Sequence, residues 1–128
     1  MAHSPSIVPY LSYRDAALAI EFLTGAFGLS VVQIQKDESG TVVHAELSHG
    51  NGVVMLGTGE LSKGSPGILL VVDDVDAHHA RAVAGGAEVV YGPESTEWGA
   101  RRWRARDPEG HEWSFGTYQP STEPPAWG

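Results

Sequence analysis

Leu11–Asp15 and Leu69–Asp73 open two stretches of the chain that read alike at an offset of 58 positions. Each begins with an apolar, strand-like run ending in Asp, continues through a helical stretch to a Gly, and goes on into a second strand. A repeat of this size constrains the fold more than any composition does. One supersecondary unit cannot bury its apolar face alone, so two copies must share a core. Asp15 and Asp73 are expected to cap the two helices, because a carboxylate accepts from the unpaired N–H groups of a first helical turn. Gly28 and Gly86 suit the left-handed position after a helix. In the first helix Ala16, Ile20, Leu23 and Phe27 recur at spacings of three and four and form one apolar stripe. In the second, Val75, Ala80, Val83 and Ala87 are read as inward. His78 and His79 are adjacent on that helix, point to different sides, and are read as solvent-facing.

Further strands follow each helix. The first half offers Val31–Gln35, Thr41–Ser48 and Val53–Gly57, with turns at Asp37–Gly40 and His49–Gly52. The second offers Glu88–Tyr91, Arg101–Arg106 and Glu112–Tyr118, with a tight turn at Asp107–Gly110, where Asp and Pro start the turn and Gly ends it. Both halves are therefore β-α-β-β-β, in one domain spanning 1–128. Repeat one covers about 7–57, a linker 58–66, repeat two about 67–118, and a Pro-rich tail 119–128. A length of 128 residues suffices for a real core without staples.

Composition removes several functions. Cys is absent, which excludes disulfides, a thiolate nucleophile and Cys-based metal centres. Eight Lys/Arg against 16 Asp/Glu give a formal charge of −8, which opposes nucleic-acid binding. Arg101, Arg102, Arg104 and Arg106 are the one basic cluster, and they read as the wet face of a strand. No run approaches the ~20 apolar residues of a membrane span, and Met1–Ser6 lacks the pattern of a secretory signal. A cytoplasmic location is expected.

Pro9–Asp15, Ile20–Phe22, Ala26–Leu29, His44–Leu47, Gly52–Gly57 and Asp107–Gly116 stand in an order and spacing that resembles the vicinal-oxygen-chelate superfamily. That family includes glyoxalase I, bleomycin-resistance proteins, extradiol dioxygenases and fosfomycin-resistance transferases, and the resemblance covers roughly residues 7–118. It implies an α+β fold in which the two βαβββ repeats form a cupped, mostly antiparallel eight-stranded sheet with helices on the outer face. In metal-dependent relatives, four strand positions supply His or Glu ligands. Matched to this sequence they are Val8, Met55, Gly67 and Ser114, of which three offer no conventional ligand and the last a neutral hydroxyl. The resemblance therefore points to a metal-free, bleomycin-resistance-like branch, with no metal and no cofactor. A two-residue slip would bring Glu112 to the cavity.

Strand alternation places Val8, Tyr10, Ser12, Val53, Met55, Leu69, Val71, Glu112 and Ser114 on the cavity face. Leu11, Val54, Leu56, Ile68, Leu70, Trp113 and Phe115 fall on the core face. The residues expected to bind ligand are Val8, Tyr10, Met55, Leu69, Trp98, Arg102, Trp103 and Ser114. Trp98 stands in a polar loop, Pro93–Gly99, where it is available to stack on a planar ligand or to pack on a partner chain. An Arg among aromatics meets an anion or stacks on a ring. His44 and Glu46 share a strand face and, with Glu112, are the candidate acid/base residues. His3, His49 and His111 are assigned to a leader, a turn and a hairpin.

Three functions follow as alternatives. The first is a metal-independent binding protein that sequesters an aromatic or drug-like small molecule, conferring antibiotic resistance; by resemblance it is a homodimer with its cleft between chains. The second is a metal-dependent lyase, isomerase or dioxygenase. The third is a metal-free enzyme using His44, Glu46 or Glu112.

Overall fold

A computed structural model describes residues 8–60 and 67–119. The leader with His3, most of the linker and most of the tail lie outside the described residues. The first repeat forms β1 (Tyr10–Tyr13), α1 (Ala16–Gly25), β2 (Ser30–Lys36), β3 (Val42–His49) and β4 (Gly52–Thr58). The second forms β5 (Ile68–Val71), α2 (Val75–Ala84), β6 (Glu88–Ser95), β7 (Arg101–Arg106) and β8 (Glu112–Gly116). All eight expected strands are present, four in each repeat's sheet, ordered β1-β4-β3-β2 and β5-β8-β7-β6. In each sheet the first strand pairs parallel to the last, and the other pairings are antiparallel.

The period-two pattern of the strands sets the core. Leu11, Tyr13, Val54, Leu56, Leu70, Trp103, Ala105, Trp113 and Phe115 are buried on one side, and the intervening residues face outward. Trp103, Trp113, Phe27 and Phe115 are almost wholly buried. Removing such a side chain from water contributes about 2–3 kcal/mol. Phe27, just beyond α1, packs on the second sheet, its ring 5.6 Å from Trp113 and 4.7 Å from Phe115. β6 runs further than its sequence suggests, through Pro93 to Ser95. It is an edge strand with register shifts on both sides of Tyr91, so the missing proline N–H interrupts no ladder.

α1 buries Ala16, Ala19, Ile20 and Leu23, and Phe27 beyond it completes the stripe. The Asp15 carboxylate accepts from the Leu18 N–H at 3.0 Å. In α2 the cap is Asp74, not Asp73: its carboxylate accepts from the Ala77 N–H at 3.0 Å. The offset between repeats is thus one residue longer at the caps than at Gly28 and Gly86, both at positive φ. Counted from Asp74, the buried positions of α2 match those that α1 buries counted from Asp15. Val75 and Ala82 are buried, whereas Ala80 and Val83 face solvent.

His78 also turns inward, contrary to its solvent-facing reading. Its Nδ1 accepts from the Trp103 indole N–H at 3.1 Å, which places the ring proton on Nε2, 2.9 Å from the Phe27 carbonyl. The partly buried His79 packs edge-on to Trp103, 5.0 Å between centroids.

The repeats are locked by the β7–β8 turn. Asp107, 3% exposed, accepts from the Tyr13 hydroxyl at 2.5 Å, the Trp113 indole at 3.0 Å and the His111 backbone at 3.1 Å. Burial, with this carboxylate alongside, raises the Tyr13 pKa far above its ordinary value. Glu109 accepts from the Arg14 and Asp15 backbone N–H groups at 2.6 and 2.8 Å, so the second repeat satisfies donors at the start of the first repeat's helix. His111 Nε2 lies 2.9 Å from the Ser12 carbonyl. At the other end of the seam His49 Nε2 lies 2.6 Å from the Val71 carbonyl. Among the described residues no helix is long and apolar enough to cross a membrane.

Candidate functional site

With the odd-numbered residues of β7 turned to the core, Arg102, Arg104 and Arg106 stand together on the opposite, concave face of the second sheet. Register places Ser114 opposite Arg104 on one side and Leu69 on the other, and Tyr91 opposite Arg104 across β6. A depression of about 510 Å³ forms there, lined by Leu69, Ser114, three aromatic residues (Tyr91, Trp98, Tyr118) and three arginines (Arg101, Arg102, Arg104), with small residues between them. Its volume falls within the range of small-molecule sites.

The arginines are held in place. Arg102 Cζ lies 5.5 Å from the Tyr91 ring centroid and 5.4 Å from that of Trp98, and its Nε donates to Glu94 at 2.9 Å. Arg104 donates through Nε to Ser114 Oγ at 2.8 Å and through Nη1 to Glu112 at 3.1 Å. Arg101 forms a two-pronged pair with Asp76 at 2.7 and 2.8 Å, which holds the Asp76 carboxyl below the usual carboxylate range. Trp98 is 64% exposed, although its ring shelters one arginine.

On the first sheet the concave face carries Tyr10, Met55 and Glu46 in one register row, with His44 adjacent. His44 Nε2 lies 2.9 Å from Glu46 Oε2. Hydrogen bonds from His44 and then Gln33 hold the Glu46 carboxyl below its ordinary value. Tyr10 and Val8 are exposed.

The expected ligand-binding residues thus divide. Leu69, Trp98, Arg102 and Ser114 come together in one pocket, whereas Val8, Tyr10 and Met55 belong to the first repeat and line no part of it. Trp103 is corrected from lining residue to core residue: it is fully buried and stacks on Phe115 at 4.7 Å. As the neighbour of Arg102 on a strand, it must face the other side. Tyr91, Arg104 and Tyr118 were not foreseen. Alternation from Arg102 reaches Arg104, whereas the bulges in β6 hide the facing of Tyr91. A second depression, about 580 Å³ at the seam between the repeats, offers His49 as its one ionisable side chain. That ring is already engaged with Val71, so this is the poorer candidate.

A metal does not fit the four ligand positions. Val8, Met55 and Gly67 supply no hard donor, and the Ser114 oxygen is occupied by a guanidinium, whose charge repels a cation. Glu112 bridges Arg104 and Arg106, at 3.1 and 3.2 Å, in a structural ion pair. Among the described residues no three His, Asp or Glu side chains are grouped to hold a metal ion.

A model of the Glyoxalase/Bleomycin resistance protein/Dioxygenase superfamily matches residues 6–115. An uncharacterized protein of Mycobacterium bovis, Mb0911c, is 36% identical over 125 residues, covering 88% of this chain and 82% of the relative. Among solved structures, TioX from Micromonospora sp. ML1 is similar at a TM-score of 0.76 and 32% identity, covering 88% of this chain and 98% of that one. A glyoxalase/bleomycin resistance protein from Streptomyces sp. CB03234 follows at 0.69 and 25% identity, covering 84% and 96%.

Proposed function

The chain belongs to the Glyoxalase/Bleomycin resistance protein/Dioxygenase superfamily, and within it we propose a metal-independent protein that binds and sequesters a planar, drug-like small molecule in the cytoplasm. The pocket on the second sheet carries this reading: exposed aromatic surface and fixed polar groups converge there around Ser114. All the described residues that line it belong to the second repeat. The two concave faces expose Tyr10 at 55% and Leu69 at 45%, and Val31, Val32, Ile34 and Val43 are also exposed. So much open apolar surface favours a homodimer in which a second copy's first sheet covers the pocket.

Trp103 and Trp113 are buried, so Trp98 is the accessible indole reporter among the described residues. Titration with a panel of planar antibiotics is expected to quench its emission, and Trp98→Phe to remove the response. Absence of quenching across the panel, with no heat of binding by calorimetry, overturns the proposal.

One observation favours a second reading, catalysis without metal. His44 and Glu46 form a ready pair on the face that the dimer would turn toward the ligand. Recovery of chemically altered ligand from the wild type, but not from His44→Gln, would establish it.

A further inference from the structure

Among the described residues, the charged residues lining the pocket are all arginines: Arg102 and Arg104 on its face of β7, with Arg101, whose guanidinium pairs with Asp76 of α2, beside them. In a chain of formal charge −8 this is a local reversal of sign. The acidic partners engage these arginines without lining the pocket. Glu94 takes Nε of Arg102, Glu112 takes Nη1 of Arg104, and Asp76 takes Arg101 from α2. Among the described residues, neither terminal nitrogen of Arg102 has a hydrogen-bond partner, nor does Nη2 of Arg104. Planar guanidinium groups of this kind match a planar oxyanion in geometry as well as charge.

The aromatic residues define the rest of the ligand. Tyr91 and Trp98 hold the Arg102 guanidinium by cation–π contact, at 5.5 and 5.4 Å, which lowers the entropy it loses when an anion arrives. Trp98 remains 64% exposed, and Tyr118 lines the same depression at 54%. Stacking surface and unsatisfied cationic donors therefore occupy one pocket.

We propose that the pocket selects a planar aromatic anion, its ring stacked on Trp98 and its carboxylate or equivalent oxyanion received by Arg102 and Arg104. This rests on the binding function proposed above and specifies the ligand's charge, which that reading leaves open. The Ser114 hydroxyl, fixed by Arg104, sits at the floor of the site as a further polar contact. Of the four positions matched to metal ligands, Ser114 lines this pocket, and its hydroxyl is engaged by Arg104.

Calorimetric titration of the full chain with 2-naphthoate and with 2-naphthamide, two ligands of nearly equal shape, tests the charge requirement. The carboxylate is expected to bind about tenfold more tightly than the amide, as a charge-assisted hydrogen bond implies. Arg102→Gln should erase that preference by weakening naphthoate alone, whereas Trp98→Ala should weaken both ligands alike. Glu94→Gln removes the carboxylate that competes for Arg102 and should tighten naphthoate severalfold. This gain cannot come from misfolding. Equal affinity for the two ligands, or a preference unchanged in Arg102→Gln and Glu94→Gln, overturns the proposal. If naphthoate fails while neutral planar compounds still quench Trp98, the anion requirement falls and the binding function stands. If nothing quenches Trp98, both fall together.

Discussion

Asp107 shows how much one residue can organise. It starts a tight turn, as its sequence context suggests, but its buried carboxylate also gathers the Tyr13 hydroxyl of the first repeat with the Trp113 indole and two backbone N–H groups of the second. Asp107→Ala leaves the Tyr13 hydroxyl and the Trp113 indole without an acceptor inside the protein. The expected loss is about 3 kcal/mol, since each buried unsatisfied group costs about 1–3 kcal/mol; the midpoint of urea unfolding measures it. Tyr13→Phe removes one donor and leaves the carboxylate its others, so a smaller loss of about 1 kcal/mol is expected in the same assay. Gly85 acts by size alone. A Cβ there would lie 2.6 Å from the Ala26 Cβ, where the end of α2 meets the segment after α1. Gly85→Ala should therefore force the repeats apart and cost about 1–3 kcal/mol, as overpacking typically does.

At the level of elements, α2 carries a pH dependence. Burial, reinforced by the nearby charges of His49 and Arg81, lowers the His78 pKa below that of a free imidazole. The Phe27 carbonyl opposes this but does not reverse it. In the unfolded chain His78 takes up a proton near pH 6.5; in the folded chain it does so only at lower pH. The unfolded state thus binds more protons in that window, so stability falls as pH drops below about 6.5 and levels off below the folded pKa. Unfolding midpoints measured from pH 8 to 5 should follow this course, and His78→Gln should flatten the slope, because an amide can still accept from Trp103 and donate to Phe27. An unchanged slope in that variant would count against the assignment. The same helix repeats the pattern of α1: counted from their caps, the inward positions Ala16, Ala19, Ile20 and Leu23 correspond to Val75, His78, His79 and Ala82.

At the scale of the whole molecule, the described residues present the open faces of two four-stranded sheets, one from each repeat. Its ionisable groups divide unevenly between them, with His44 and Glu46 on the first sheet and the arginine pocket on the second. A homodimer that opposes these faces is expected to sediment at twice the chain mass, and ligand affinity should fall on dilution below its dissociation constant. A monomer with full affinity at every concentration would refute a shared cup. Substituting Leu69 with Lys on the open face is expected to weaken both association and binding, because it places an unpaired charge on apolar surface.

The sequence by itself determined the repeat, the order of the elements and the face of nearly every strand. Those properties are local: a period of two, a stripe at three and four, and an Asp or Gly at a boundary are written within a few residues of one another. Read with the family resemblance, it also put residues of poor ligand chemistry, Val8, Met55, Gly67 and Ser114, at the positions matched to metal ligands. The tertiary structure alone decided how the repeats meet and which residues share a pocket. Tyr13 and Asp107 stand 94 positions apart, and Arg14 and Glu109 stand 95 apart, so no periodicity marks either pair. The bulges of β6 likewise depend on pairing with β7, and they bring Tyr91 beside Arg102. Alternation could separate Trp103 from Arg102, but only packing could surround that arginine with aromatic rings and leave its outer nitrogens for a ligand.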